Sequence, residues 1–102
     1  MKIQESGENY LETILVLIQR QGAVRSIDVV NELGYAKPTV SVMMKKLREN
    51  GYINMDKDGY ITLNSTGLKI AQKIYERHQV IARMLMSLGV DEKTAYFLYD
   101  KS

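Results

Sequence analysis

The sequence predicts a small, mostly α-helical protein that carries one β-hairpin, and three observations support this fold class. Apolar residues recur every three or four positions through most of the 102 residues, which is the spacing of amphipathic helices. Glycines and the single proline divide the chain into short segments. The stretch 52–63 is rich in β-forming residues at both ends and has turn residues at its centre.

Two helices are predicted at the start of the chain. In the first, apolar residues recur at helical spacing over residues 10–18, with Ser6 as the expected N-cap and Gly22 as the expected end. The second helix is short. Ser26 is its expected N-cap, and Gly34 is the residue that stops it.

A third helix follows after a tight link. Pro38 falls in its first turn, where proline is well tolerated, and Gly51 ends it. Its predicted inner stripe is apolar and consists of Val40, Met43, Met44 and Leu47. The residues expected to face outward are Lys37, Thr39, Ser41, Val42, Lys45, Lys46 and Glu49.

Two short strands, 52–55 and 60–63, are predicted on either side of the turn 56–59. A long helix then runs to about Leu88, and Asp91 is expected to cap a final helix. One seam of the long helix is apolar except at its histidine, and it consists of Ala71, Ile74, His78, Ile81, Leu85 and Leu88.

Helix, short helix, tight turn, helix and hairpin is the order of a winged helix-turn-helix, whose third helix enters the major groove of DNA. We therefore predict a DNA-binding domain over 1–63, and a long connecting helix with a partial dimerisation and metal-binding region over 64–102. The predicted DNA contacts are Arg25, Ser26, Lys37, Pro38, Thr39, Ser41, Val42, Lys45, Lys46 and Lys57. The alternatives are a merely solvated basic face and a protein-docking module of the same fold.

Composition excludes several classes of protein. The chain has no cysteine, so disulfides and thiolate metal sites are impossible, and no apolar run is long enough for a membrane span. We therefore expect a cytoplasmic protein without a membrane partner. An enzyme is not expected, because there is one histidine, no pairing of a nucleophile with a base and no glycine loop for phosphate.

Four stretches carry a recognisable pattern: ENYLETI at 8–14, KPTVSV at 37–42, LRENGYI at 47–53 and YERH at 75–78. Together they resemble the diphtheria-toxin-repressor family, the iron- and manganese-dependent repressors, and the resemblance extends to Tyr96. It implies a homodimer that binds double-stranded operator DNA when Mn²⁺ or Fe²⁺ is present.

The resemblance also implies a metal site, whose ligands carried over residue by residue are Asn9, Glu12, His78 and Asp100. Manganese-type members have an aspartate where this sequence has Asn9, and a cysteine or glutamate is usual where it has Asp100. The next family ligands, a Glu-His pair, would lie beyond Ser102. We therefore expect a C-terminally truncated member, natural or engineered, whose metal binding is weak or lost.

The residues themselves are compatible with a metal site but leave an alternative open. Asn9 and Glu12 are three positions apart and share a helical face, and oxygen ligands with an imidazole suit Mn²⁺, Fe²⁺ or Zn²⁺. In the alternative, His78 is a half-buried core histidine and Glu12 a solvated residue.

Apolar residues near the end of the chain predict a homodimer built on Ile81, Leu85, Leu88, Tyr96 and Phe97. Three functions follow from these patterns. The first is a metal-responsive transcriptional repressor. The second is a metal-independent winged-helix DNA binder. The third is a protein-docking or dimerisation module that no longer binds DNA.

Overall fold

The chain folds into five helices and one hairpin over the residues that the computed structural model describes, which are 5–101 for the backbone and 6–96 for the side chains. The elements are α1 (Glu5–Gln21), α2 (Ser26–Leu33), α3 (Lys37–Glu49), β1 (Ile53–Met55), β2 (Ile61–Leu63), α4 (Ser65–Ser87) and α5 (Glu92–Lys101). The predicted fold class is confirmed. Two compact units are present, one up to Gln72 and one from Lys73 onwards. None of the described helices is long and apolar enough to cross a membrane.

The first unit is built around one apolar core. Helix α1 packs against α2 and β2, while α3 packs against α2 and β1. The largest fully buried side chains are Leu11, Ile14, Val24, Val29, Val40, Leu47 and Ile53. Outside this core, the Arg20 guanidinium donates to both Glu32 carboxylate oxygens, at 2.9 and 3.1 Å. These hydrogen bonds lower the pKa of Glu32 and fasten the end of α1 to α2.

Both predicted serine N-caps are wrong. Ser6 lies inside α1, and a residue that already follows helical backbone cannot be the N-cap. The N-cap of α2 is Arg25, one residue before Ser26. Its backbone is extended, and its N–H donates to the Asp28 carboxylate at 2.8 Å. The cap of α2 is thus an acidic side chain that reaches back from the first turn. Gly34 ends α2 in the left-handed conformation, as predicted.

The hairpin forms the predicted wing. Strands β1 and β2 are antiparallel, and Asn54 is paired with Thr62. In the turn, the Asp56 carboxylate accepts backbone hydrogen bonds from Asp58 and Tyr60, both at 2.9 Å, and Gly59 has a φ of +87°. A left-handed residue at this place matches the twist of the flanking strands.

The wing is held to the segment before α2 by two contacts. The backbone N–H of Ile61 donates to the Val24 carbonyl at 2.7 Å. The Arg25 guanidinium lies over the Tyr60 ring, 5.4 Å from the ring centroid, in a cation–π contact. The side chain of the α2 N-cap residue therefore also supports the wing.

The start of α4 is in close contact with the backbone that leads into the wing. Asn64 caps the helix by accepting from the Gly67 N–H at 3.0 Å, and its own N–H donates to the Tyr52 carbonyl at 3.2 Å. Gly67 is buried, and a Cβ atom there would overlap the Tyr52 carbonyl oxygen. Only glycine allows the backbone of α4 to lie this close to the Tyr52 carbonyl.

The second unit contains most of α4 and all of α5. Asp91 caps α5 as predicted, because its carboxylate accepts from the Thr94 N–H at 3.1 Å and the Thr94 hydroxyl at 2.8 Å. The Tyr96 hydroxyl donates to Gln79 Oε1 at 2.8 Å, which ties α5 to α4. Of the predicted α4 seam, Leu88 lies in the turn beyond the helix and is 75% exposed.

We expect Gly67→Ala to destabilise the protein despite the better helix propensity of alanine. That propensity favours alanine by about 1 kcal/mol, but the backbone must shift to accommodate the methyl group, and overpacking costs about 1–3 kcal/mol. Denaturant unfolding of both proteins measures the difference. Thr66→Ala, at an exposed neighbouring position, is the matched control and should stay within about 0.5 kcal/mol of wild type. A Gly67→Ala protein as stable as wild type would contradict the packing described here.

We expect Tyr60→Leu to loosen the wing without unfolding the first unit. Loss of an exposed cation–π contact removes about 0.5–1 kcal/mol, which corresponds to about two- to fivefold faster amide exchange. The amide to follow is that of Ile61, which donates to Val24. Lys57→Ala, which changes the wing tip and leaves the Arg25–Tyr60 contact intact, serves as the control. Equal exchange rates in wild type and Tyr60→Leu would show that the contact does not hold the wing.

Candidate nucleic-acid interface

Helix α3 has one buried face and one exposed face. Val40, Met44 and Leu47 are buried and Met43 is half-buried, so the predicted inner stripe is confirmed. All residues predicted to face outward are exposed: Lys37, Thr39, Ser41, Val42, Lys45, Lys46 and Glu49. Pro38 is exposed as well, in the first turn. The exposed face thus combines cations with small hydroxyl groups.

The cations on α3 are weakly engaged by their neighbours. Lys45 Nζ lies 3.9 Å from Glu49 Oε1, at the limit of an ion pair, and both side chains are more than half exposed. Arg48 was not among the predicted DNA contacts, although it is exposed and follows Lys45 by one helical turn. Its guanidinium lies 3.7 Å from the sulfur of Met55 on β1. Arg48 therefore adds positive charge between α3 and the wing.

The wing and the N-terminus of α2 form a second candidate contact region. Arg25, Lys57, Asp58, Gly59 and Tyr60 line an open cleft of about 680 Å³. Arg25 and Lys57 are both exposed and supply two positive charges, and Asp56 and Asp58 in the same turn supply two negative charges. The structure therefore brings together Arg25 and Lys57, two predicted DNA-contact residues that are distant in sequence.

An aromatic pair, which the sequence analysis missed, lies beside α3. The rings of Tyr10 and Tyr35 are 6.1 Å apart between centroids and tilted by 51°. Tyr10 is 3% exposed, and burial, followed by the electrostatic influence of Tyr35, raises the pKa of its hydroxyl. Because Tyr35 precedes α3 by two residues, the pair fixes the turn that leads into the helix. Their separation in sequence gave no signal of this contact.

The predicted metal ligands belong to different elements. Asn9 and Glu12 lie one turn apart on α1 in the first unit, where Asn9 is exposed and Glu12 half-buried. His78 lies on α4 in the second unit and is half-buried. Asp100 belongs to α5, but its side chain, like that of Phe97, falls outside the described residues. Among side chains 6–96 no group of three His, Asp or Glu forms a metal-binding cluster.

The second unit exposes apolar side chains on α4. Val80 and Met84 are one turn apart and are 55% and 54% exposed, and Leu88 follows after another turn. Of the predicted dimerisation residues, Ile81, Leu85 and Tyr96 are half-buried. Val80 and Met84 could not be predicted from the sequence, because they lie outside the seam that continues from the buried Ala71 and Ile74.

The sequence is similar to known regulators. A model described as "Iron dependent repressor, N-terminal DNA binding domain" matches residues 2–62. The transcriptional regulator MntR of Escherichia coli O6:H1 is 38% identical over 92 residues, which are 90% of this chain and 59% of that protein. The HTH-type transcriptional regulator MntR of Bacillus subtilis is 33% identical over 91 residues, which are 89% of this chain and 64% of that protein.

The fold is also similar to solved structures. The structure of the manganese regulator SloR superposes with a TM-score of 0.70 at 26% identity, over 94% of this chain and 47% of that one. The IdeR structure from T. acidophilum has a TM-score of 0.77 at 20% identity, over 94% and 45%, which shows a shared fold.

The curated relatives are named as transcriptional regulators and not as enzymes, which agrees with the expectation that this chain is not an enzyme. The chain spans less than two thirds of the length of each of these two relatives. The family model covers the first three helices and nearly all of the hairpin. The chain therefore belongs to the iron dependent repressors, the diphtheria-toxin-repressor family whose motifs its sequence carries.

Proposed function

We propose that this chain binds operator DNA as a transcriptional repressor through the exposed face of α3. The observation that carries this proposal is that burial of Val40, Met44 and Leu47 leaves the cations and hydroxyl groups of α3 pointing into solvent. A helix of this kind fits the major groove, where lysines contact phosphates and short polar side chains approach base edges. Arg25 and Lys57 would contact the backbone beside the groove. We propose a cytoplasmic location as well, because the curated relatives are bacterial transcriptional regulators.

Assembly as a homodimer is part of this proposal. The exposed apolar residues Val80, Met84 and Leu88 are spaced one helical turn apart at the end of α4. Burying such a stripe against a second copy of the chain is favourable. The predicted dimerisation residues Ile81 and Leu85 are only half-buried in the single chain. Two-fold symmetry would require a pseudo-palindromic operator with half-sites about one helical turn of DNA apart.

We further propose that Mn²⁺ or Fe²⁺ modulates DNA binding, with Asn9, Glu12, His78 and Asp100 as ligands by family resemblance. The donor chemistry fits these ions, because a carboxylate, an imidazole and an amide oxygen are suitable ligands for them. When bound, the metal would supply positive charge and fix the ligand side chains. Asn9 brings no negative charge to offset a dication and is exposed to water, so we propose weak binding.

Replacing Lys45 and Lys46 by alanine tests the DNA-binding face. We expect weaker binding to every duplex, and a log–log salt slope that is shallower by about 2, because two phosphate contacts are lost. Fluorescence anisotropy with labelled duplexes over a range of salt concentrations measures both quantities. The double variant Lys69→Ala, Lys73→Ala removes two exposed lysines of α4 as the matched control. An unchanged slope in the α3 variant would place its lysines away from DNA.

Calorimetric titration with Mn²⁺ tests the metal proposal. We expect Asn9→Asp to tighten binding by about tenfold or more, because the number of charged ligands strongly influences affinity for divalent cations. His78→Ala should remove detectable binding, since ligation needs the imidazole. Glu76→Gln, an exposed acidic residue on α4, is the control for general charge effects. Tight, stoichiometric Mn²⁺ binding that survives His78→Ala would show that the ligand assignment is wrong.

A further inference from the structure

An apolar residue occupies the centre of the exposed face of α3. Val42 is 56% exposed and lies one turn after Pro38 and nearly one turn before Lys45. It is not among the buried core residues, and a β-branched residue in a helix is less favourable than alanine. Neither burial in the core nor helix propensity therefore explains a valine at this position.

Val42 forms one wall of an open apolar cleft. The cleft has a volume of about 450 Å³ and is lined by Ser6, Tyr10, Tyr35, Thr39, Val42 and Met43. Its far wall is held in place, because Tyr10 is buried in the core and its ring packs against Tyr35. Tyr35 itself is 50% exposed. Two large apolar side chains therefore share one solvent-open depression beside α3.

The charges around Val42 indicate what the cleft faces. Lys45 and Lys46 are exposed three and four residues after Val42, and the one carboxylate on this side of α3 is that of Glu49, 3.9 Å from Lys45. The positive charges outnumber the negative one, which favours an anionic partner over Val42. Helix α3 contains no asparagine or glutamine, so it has no side chain that can pair with adenine through two hydrogen bonds. The 5-methyl of thymine is the apolar group that the major groove presents.

We infer that Val42, with the methyl group of Thr39 beside it, contacts the 5-methyl group of a thymine and gives this chain part of its sequence specificity. The inference rests on the proposed binding of DNA by α3. Thymine would be preferred over cytosine and uracil at one position of each half-site, because both lack the methyl group. An acidic peptide would also complement the positive charges of α3. If α3 bound such a peptide and not DNA, replacing thymine by deoxyuridine in a duplex would have no effect on binding.

The test compares thymine with deoxyuridine, which differs only by this methyl group. A duplex is enriched from a randomised pool with wild-type protein in the presence of Mn²⁺, and its thymines are replaced by deoxyuridine one at a time. At the contacted position we expect about fourfold weaker binding by wild-type protein, the effect of one methyl group removed from contact. At the other thymines the affinity should stay the same.

The Val42→Ala variant should have a smaller preference for the thymine duplex over the deoxyuridine duplex than wild type, with the loss confined to the thymine duplex, while the Thr39 methyl group keeps the remainder. Val42→Thr keeps the shape of the side chain but replaces one methyl group by a hydroxyl, and should show an intermediate preference. Val16→Ala is the matched control, because Val16 is a half-buried valine of α1 that lies outside α3 and does not line the cleft. Its ratio of thymine to deoxyuridine affinity should equal that of wild type.

The possible failures are distinguishable. If wild-type protein binds the enriched duplex but no single deoxyuridine weakens binding, or if Val42→Ala keeps the full wild-type preference for thymine, the inference about Val42 is wrong and DNA binding by α3 stands. If no duplex is enriched with or without Mn²⁺, the proposed function fails, and the inference fails with it.

Discussion

Burial of one face of α3 determines what the opposite face can do. Val40 and Leu47 are fully buried and Met44 is 2% exposed. Since helical side chains keep fixed angular positions, placing these three residues in the core sets the direction of every other side chain on the helix. A rotation that covered Val42 would expose large core residues, each at a cost of about 1.5–3 kcal/mol. The basic face of α3 is therefore held outward by the core beneath it.

Several elements could be predicted because local sequence determines them. The spacing of Val40, Met44 and Leu47 was enough to place the inner face of α3, and Gly34 and Pro38 were enough to place the turn before it. Asp91 was a correct N-cap because its side chain bonds only three residues ahead. Periodicity, left-handed glycines and short-range hydrogen bonds all depend on neighbouring residues, and the sequence displays them directly.

The features that were missed depend on contacts between distant residues or on competition among local ones. The Tyr10–Tyr35 pair joins residues on different elements, and its cleft beside α3 could not be anticipated from spacing. Serine is usually preferred as an N-cap, which favours Ser26, yet Arg25 holds that position because the Asp28 carboxylate supplies the capping hydrogen bond. The need for glycine at position 67 appears only once Tyr52 is packed above it. Small residues such as Ala82, which is fully buried, carry little weight in an apolar pattern.

We propose that the exposed side of α3, together with the wing, is the surface that meets DNA. Amide chemical shifts of isotope-labelled protein, recorded as an enriched duplex is added in the presence of Mn²⁺, test it most directly. We expect the largest changes at residues 37–46 and around Lys57, with the buried positions Val40 and Leu47 changing less than their exposed neighbours. Changes concentrated on the exposed residues of α4, with α3 and the wing unaffected, would contradict it.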